Sequence, residues 1–529
     1  MDWIKKGDGD PDHPMRNPAA AAKLLAEMRG ADPLTALNDL TAWVDEIKAI
    51  PAPDEKIRSE ILSLIKEASD PHLSVLFAPF FAKPSDKQAG HESTWHPISK
   101  YLTALSGALC ASAGLLLKEA TTNPSLQLPG AAGAARGLHV CRLLVKVCLA
   151  RYLSVPSTLW RMAYAVHREA ETANCSGMSV RMHSTQKTTT TVTQELLRLL
   201  MLQSSSPEMM APGQIAVADW VVEQLGGDFT LRPQGVADNP FCFDPASEAP
   251  PRRAQEPPDP DAGIRYFGPG VGYDTLGRIY KQMGTTSSVE IKTFGKEIAA
   301  HLQFSAVQHL LTFWGAVSPY KPPARSPATG TVRVIHGYAQ TWQHLSRVRT
   351  TTSELSLAED GDVAAQAPET WTLQDTGGNE LGVEIPQRSG DWARCGDVVG
   401  VSIGGDDECW LGLIRSMHAE PGRGLHGNIY ILSRSPQAMQ LRAVVEEGED
   451  GITEESARQF AFNSVRAIIL SDGSATSQPP NMLLPPESWK EGRVFEATAE
   501  GAARYLRGAR LLRRGDDYVR ATFDWAAQD

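Results

Sequence analysis

The hydrophobic period of this chain changes near residue 320, and that change constrains its fold more than any single motif. Before Pro319 apolar residues recur at the spacing of amphipathic helices. Beyond Thr331 they alternate in short runs separated by Gly, Asp and Pro. The 529 residues exceed what one hydrophobic core organises, so roughly two to four domains are expected.

Asn17-Pro18 places a capping residue before a proline at the first helical position and opens the run Ala19-Ala20-Ala21-Ala22-Lys23-Leu24-Leu25. Asp32-Pro33 and Asp54 repeat this start signal. Further helices are expected at about 95–119, 131–153, 157–174, 190–203 and 212–225, jointed at Pro124, Pro156 and Ser204-Ser205-Ser206-Pro207. The fold class is therefore α+β and multidomain, with an all-α helical domain over residues 1–228. Residues 229–265 read as a linker, because Ser247-Glu248-Ala249-Pro250-Pro251 and Glu256-Pro257-Pro258-Asp259-Pro260 bury too little apolar surface to offset chain entropy. A bridging helical segment over 266–319 ends in Leu310-Leu311-Thr312-Phe313-Trp314.

Strands are expected at Thr331–Tyr338, Glu369–Leu373, Leu381–Ile385, Asp397–Ile403, Cys409–His418, Leu425–Ser433 and Gln440–Val445. Short strands with close turns imply a small closed barrel, assigned to residues 320–446. Residues 447–529 form a further β-rich segment, with strand-like runs at Val465–Leu470, Met482–Leu484, Arg493–Thr498 and Tyr518–Phe523.

A net charge of −11 argues against a nucleic-acid polymer as partner, since neutralising phosphates needs a basic stripe and none stands out. The start, Met1-Asp2-Trp3-Ile4-Lys5-Lys6-Gly7-Asp8, lacks the apolar core of a secretory signal. The most apolar stretch, Leu102 to Leu117, is short and rich in Ser, Gly and Ala, so no membrane insertion and a cytoplasmic location are expected. Seven cysteines without a CxxC pair fit reduced thiols, Cys141 and Cys148 sharing one buried helix face.

No catalytic constellation is legible, and the chain reads as a non-enzyme. His167-Arg168-Glu169-Ala170-Glu171 lacks the second histidine of HExxH, the other histidines are scattered, and there is no GxSxG elbow, so no metal site is expected. The run Gly268-Pro269-Gly270-Val271-Gly272-Tyr273-Asp274-Thr275-Leu276-Gly277 has the glycine density of a phosphate cradle. Arg278 and Ile279, however, stand where a P-loop needs Lys followed by Ser or Thr, so the run reads as an ordinary turn. Thr188-Thr189-Thr190-Thr191 reads as a loop and helix cap.

Three stretches of the barrel region resemble, in pattern and order, the PilZ family of cyclic di-GMP receptors. They are Trp371-Thr372-Leu373-Gln374-Asp375-Thr376-Gly377-Gly378-Asn379-Glu380-Leu381-Gly382, Cys395-Gly396-Asp397-Val398-Val399-Gly400 and Trp410-Leu411-Gly412-Leu413-Ile414-Arg415. The resemblance covers the C-terminal half only. In that family an RxxxR segment leading into the barrel and a [DN]xSxxG motif clasp the ligand, and guanidinium groups suit both its phosphates and its guanine edges. Here Arg325 matches the second arginine and Lys321 stands where the first would be. Asp375 matches the acidic position, Gly377 replaces the serine and Glu380 replaces the glycine. The implied ligand site is thus Lys321, Arg325, Asp375 and Gly377, with Glu380 an obstacle to an anion; Ser at 377 with Gly at 380 is expected to tighten binding. Arg347 and Arg349 form a further basic pair.

The resemblance implies a bacterial cytoplasmic signalling protein. Its helical scaffold would present a barrel that takes cyclic di-GMP as regulatory ligand, needs no cofactor and relays the signal to a protein partner held by the helical domain. The alternative is a nucleotide-independent adaptor that acts through its helical domain, its barrel having kept the fold but not the ligand.

Overall fold

The computed structural model describes residues 14–49, 54–81, 91–183, 188–236, 238–254, 263–285, 292–293, 296–317, 324–350, 367–386, 392–404, 408–420, 424–444, 464–470, 480–499 and 502–526. The chain divides into two compact units, Met1–Lys321 and Pro322–Asp529.

The first unit is built from α1 (Pro18–Glu27), α2 (Pro33–Ala49), α3 (Glu55–Phe81), α4 (His91–Ala120), α5 (Gln127–Ala150), α6 (Ser157–Thr172), α7 (Val192–Gln203) and α8 (Pro212–Leu225), with a short pair β1 (Val180–Arg181) and β2 (Thr189–Thr190). The Asn17 side chain accepts from the Ala19 and Ala20 backbone N–H groups, and Thr191 accepts from that of Gln194, so the starts of α1 and α7 are capped as their sequence implies. α5 packs closely on α4. Gly130, Gly133 and Gly137 share one face of α5, and a Cβ on them would come within 2.9, 3.1 and 2.6 Å of Leu117, Ser59 and Cys110 respectively. The apolar stretch of α4 is longer than expected. Ser93–Ala120 has the length and, in its most apolar 18-residue window, the mean hydropathy, 1.3, to cross a bilayer, yet 61% of that window is buried within the unit, with Leu102, Leu105, Leu109 and Leu117 in the core.

Residues 229–265 are not a simple linker. β3 (Thr230–Arg232), β4 (Phe241–Phe243), β5 (Arg252–Arg253) and β6 (Arg265–Gly268) form a four-stranded sheet in the order β3-β6-β4-β5. Phe241, Cys242, Phe243, Tyr266 and Phe267 are buried, and Phe243 stacks on Tyr164 of α6 at 4.8 Å. Two very short aromatic strands therefore bury enough apolar area to order the Pro-rich surroundings. The Glu256–Pro260 run lies outside the described residues. The glycine-rich run makes a turn only up to Val271; α9 (Gly272–Thr285) begins there, with Tyr273, Leu276, Tyr280 and Met283 set against the core at helical spacing. After the paired segments β7 (Lys292–Thr293) and β8 (Lys296–Glu297), α10 (Ala300–Trp314) closes the unit. Arg253 donates to the Phe313, Gly315 and Ala316 carbonyls and so satisfies that helix end.

The second unit holds two closed six-stranded antiparallel barrels. The first contains β9 (Ser326–His336), α11 (Tyr338–Thr350), β10 (Glu369–Gly377), β11 (Glu380–Ile385), β12 (Val398–Ile403), β13 (Trp410–Glu420) and β14 (Gly424–Ser433), in strand order β10-β11-β14-β13-β12-β9. The second contains β15 (Gln437–Ala443), β16 (Ser464–Ile469), β17 (Asn481–Leu484), β18 (Val494–Ala499), β19 (Ala502–Arg514) and β20 (Val519–Ala526), in order β15-β16-β17-β20-β19-β18. The boundary between them therefore falls before Gln437 and not at 446, because β15 pairs with β16 and β18. The 447–529 segment is most of a full barrel, and β19 was not expected at all.

α11 lies between the barrels. Trp342 Nε1–H is 3.1 Å from both the Met439 and Ala467 carbonyls, and the Tyr338 hydroxyl donates to Arg466 O at 2.5 Å. Its backbone N–H donates to Asp517 Oδ2 at 2.8 Å. Tyr338, Trp342, Leu345, Ile468, Leu483 and Tyr518 share one buried cluster there, which makes the two barrels a packed pair.

Candidate ligand site

The candidate site is assembled where the chain enters the first barrel. β9 begins at Ser326, which stands opposite Thr376 at the end of β10, so Arg325 lies alongside Gly377. Both neighbours of β10 shift register between Leu373 and Asp375, and this bulge sets the direction of the Asp375 side chain. Gly377 and Glu380 are joined by the two-residue turn Gly378-Asn379, with Gly378 at φ 59, a conformation open to glycine.

Four charged side chains meet at this corner. Arg325 Nη1 is 2.6 Å from Asp375 Oδ1 and Nη2 is 2.8 Å from Glu380 Oε2. Arg415, set at a second bulge on β13, places Nη1 2.6 Å from Glu380 Oε1. Glu380 is 3% exposed, and the two arginines offset the cost of burying its carboxylate in the barrel wall. Arg415 also lies 5.5 Å from the ring of Tyr430, the residue opposite Glu380 on β14.

Beside the cluster opens a cavity of about 390 Å³, lined in part by Ala324, Gly377, Gly378, Glu380, Trp410 and Arg434. That volume lies in the range of small-molecule sites. The Arg434 guanidinium sits 4.7 Å over the Trp410 ring and within 3.5 Å of the Gly378 carbonyl. A flat cation on an indole offers both charge and a stacking face, which suits a base or a phosphate. Groups of this kind can hold and orient an anion or a flat base.

Of the residues picked out by sequence, Arg325, Asp375 and Gly377 come together, and Lys321 lies outside the described residues. Glu380 is not a free obstacle to an anion but the shared counter-charge of two arginines. Serine at 377 would crowd the chain that enters β9. A Cβ there would stand 2.6 Å from the Ala324 carbonyl oxygen and 3.2 Å from Arg325 Cγ, so glycine permits the close approach of the incoming chain. Arg347 is on α11 and does not line the cavity. Sequence reasoning missed Arg415, Trp410 and Arg434. Two of these lay inside a stretch that carried the family resemblance, but only closure of β13 onto β14 brings them to Glu380.

A second concentration of charge is buried in the helical unit. Arg142 of α5 faces Asp219 at 3.1 Å and also contacts Glu223, while Lys146 reaches Asp219 at 2.8 Å. Burial favours the neutral form of Glu195, but the hydrogen bond from His139 and the charges of Arg198 and Arg142 outweigh it and hold the carboxyl at about 2.

Residues 19–234 match the family model described as the N-terminal domain of the cyclic-di-GMP receptor FimW. The match spans most of α1 and continues through β3. It falls on the helical half and not on the barrels, which corrects the placement of the family resemblance in the C-terminal half alone. No curated protein and no solved structure matches the chain.

Proposed function

We propose that this chain is a non-enzymatic, cytoplasmic bacterial receptor that binds cyclic di-GMP at the first barrel and relays the binding event to a protein partner through its helical half. The observation that carries the reading is the match of residues 19–234 to a domain of a cyclic-di-GMP receptor. The arginine-rich corner of the barrel supplies a site with suitable chemistry. Phosphate oxygens of the ligand compete with Asp375 and Glu380 for Arg325, and a guanine base stacks on the Trp410–Arg434 platform. Binding is then an exchange of anions on one guanidinium, and that exchange loosens the incoming segment from the β10–β11 turn. No cofactor is needed for this cycle.

Titration calorimetry of the full chain with cyclic di-GMP tests the reading. Saturable binding is expected, weakened ten- to a hundredfold in Arg325→Ala, because a charge-assisted hydrogen bond is worth roughly 1.5–3 kcal/mol. Absence of heat in both the natural chain and Glu380→Gln at high ligand concentration would sink it.

A second reading is favoured by one observation: Arg325 already has two internal carboxylate partners. A barrel whose arginine is neutralised from within can serve as a rigid module of an adaptor that never binds the nucleotide.

A further inference from the structure

The β19–β20 hairpin carries six arginines against three aspartates in a chain of net charge −11. Arg507, Arg510 and Arg513 recur at every third residue, a spacing that on a regular strand sends successive side chains to opposite faces. Here two register shifts intervene, between Gly508 and Arg510 and between Leu511 and Arg513. The three arginines consequently stand opposite Asp524, Thr522 and Arg520. Those partners are alternate residues of β20, and the residues between them, Phe523 and Ala521, are fully buried. All three arginines thus share the outer face, about 7 Å apart.

This row is not neutralised from within. Among the described residues, Arg504, Arg507, Arg510, Arg513 and Arg514 are exposed, and none is ion-paired. Arg513 stands directly opposite Arg520, whose Nε–H donates to Asn481 Oδ1 at 3.2 Å. Asp517, in the intervening turn, accepts from the Tyr338 N–H. Leu512, in the second bulge next to Arg513, is 41% exposed, whereas Leu511 and Trp525, opposite the inner-facing Ala521 and Leu506, stand on the other face.

We propose that the outer face of β19–β20 docks on an anionic lipid bilayer. Clustered arginines bind phosphate headgroups through paired N–H donors, and Leu512 partitions into the headgroup–acyl boundary beside them. A single-stranded nucleic acid would instead need aromatic rings along the row on which to stack bases. Among the described residues of the hairpin this face carries one, Tyr505, beyond Arg507 at one end of the row. The contact is peripheral, because Leu512 protrudes from a closed barrel.

Co-sedimentation of the full chain with vesicles tests the proposal. Vesicles of phosphatidylcholine mixed with phosphatidylglycerol should pull the protein down, vesicles of phosphatidylcholine alone should not, and binding should weaken as salt rises. Replacing Arg507, Arg510 and Arg513 by Gln should weaken binding about fivefold per charge, roughly a hundredfold together, with an unchanged thermal midpoint. Arg510→Gln alone should show the single-charge effect and keeps the test open if the triple variant fails to fold. Leu512→Ser should weaken binding without altering its salt dependence. Equal binding of the natural chain and Arg510→Gln would overturn the proposal, as would capture of an oligonucleotide without capture of the mixed vesicles.

Discussion

Glu380 holds Arg325 at 2.8 Å, across the turn that joins the first two strands after the barrel's helix. The carboxylate that sequence comparison placed as an obstacle is therefore the arginine's own counter-charge, and it is shared with Arg415. An anionic ligand need not overcome a free negative charge; it must out-compete one already paired.

Glu380→Gln keeps the shape of this corner and removes the competing charge. Cyclic di-GMP affinity, read by calorimetry, should rise about tenfold, while urea unfolding should report a loss of ~2 kcal/mol from the weakened buried pairs. A fall in affinity would mean that Glu380 helps to hold the ligand.

Gly377→Ser should do the reverse of what the family motif suggests. With a Cβ 2.6 Å from the Ala324 carbonyl, the incoming chain must shift, at a cost of ~1–3 kcal/mol for overpacking. Thermal unfolding should show the lowered midpoint, and ligand binding should weaken because Arg325 moves with that chain. Unchanged stability together with tighter binding would contradict this geometry.

Asp397 makes the barrel pair sensitive to pH. Burial first, then the charges of Asp517 and Asp516, push its carboxyl up from 3.8 to about 8, with Arg394 opposing. A folded-state value above the unfolded one favours the protonated native state. Its contribution to stability is therefore complete below pH 3.8 and is lost as pH rises through about 8. Thermal midpoints should fall across that window in the natural chain and flatten in Asp397→Asn; parallel curves would show that Asp397 titrates normally.

Trp342→Phe should loosen the coupling between the barrels. The indole N–H faces the Met439 and Ala467 carbonyls, and phenylalanine keeps the apolar contact while leaving those acceptors without it. A loss of ~1–2 kcal/mol is expected, with the single unfolding transition of the second unit broadening toward two. A sharp, unshifted transition would place the coupling elsewhere in the α11 cluster.

Local signals in the sequence carried much of the fold. The Asn17-Pro18 cap, the helical period of α8 and the strict alternation of β14 each follow from short-range chemistry. What escaped depends on long-range pairing. β19 was invisible because two bulges break its alternation, so Arg-Gly-Ala-Arg-Leu-Leu-Arg-Arg has no strand period. The β4 and β6 strands were hidden by Pro-rich surroundings, since three or four residues are too few to show a period. At the site, Arg325 and Asp375 could be matched to a motif, but the roles of Glu380 and Arg415 exist only once β11, β14 and β13 are adjacent.

Hydrogen exchange of the full chain with and without cyclic di-GMP tests the central claim most directly, because it reports where the ligand sits as well as whether it binds. Ligand should slow exchange at residues 324–326 and 376–381 and around Trp410, and Arg325→Ala should abolish that protection. Protection confined to residues within 19–234, with the barrel unchanged, would contradict the assignment of the ligand to the barrel.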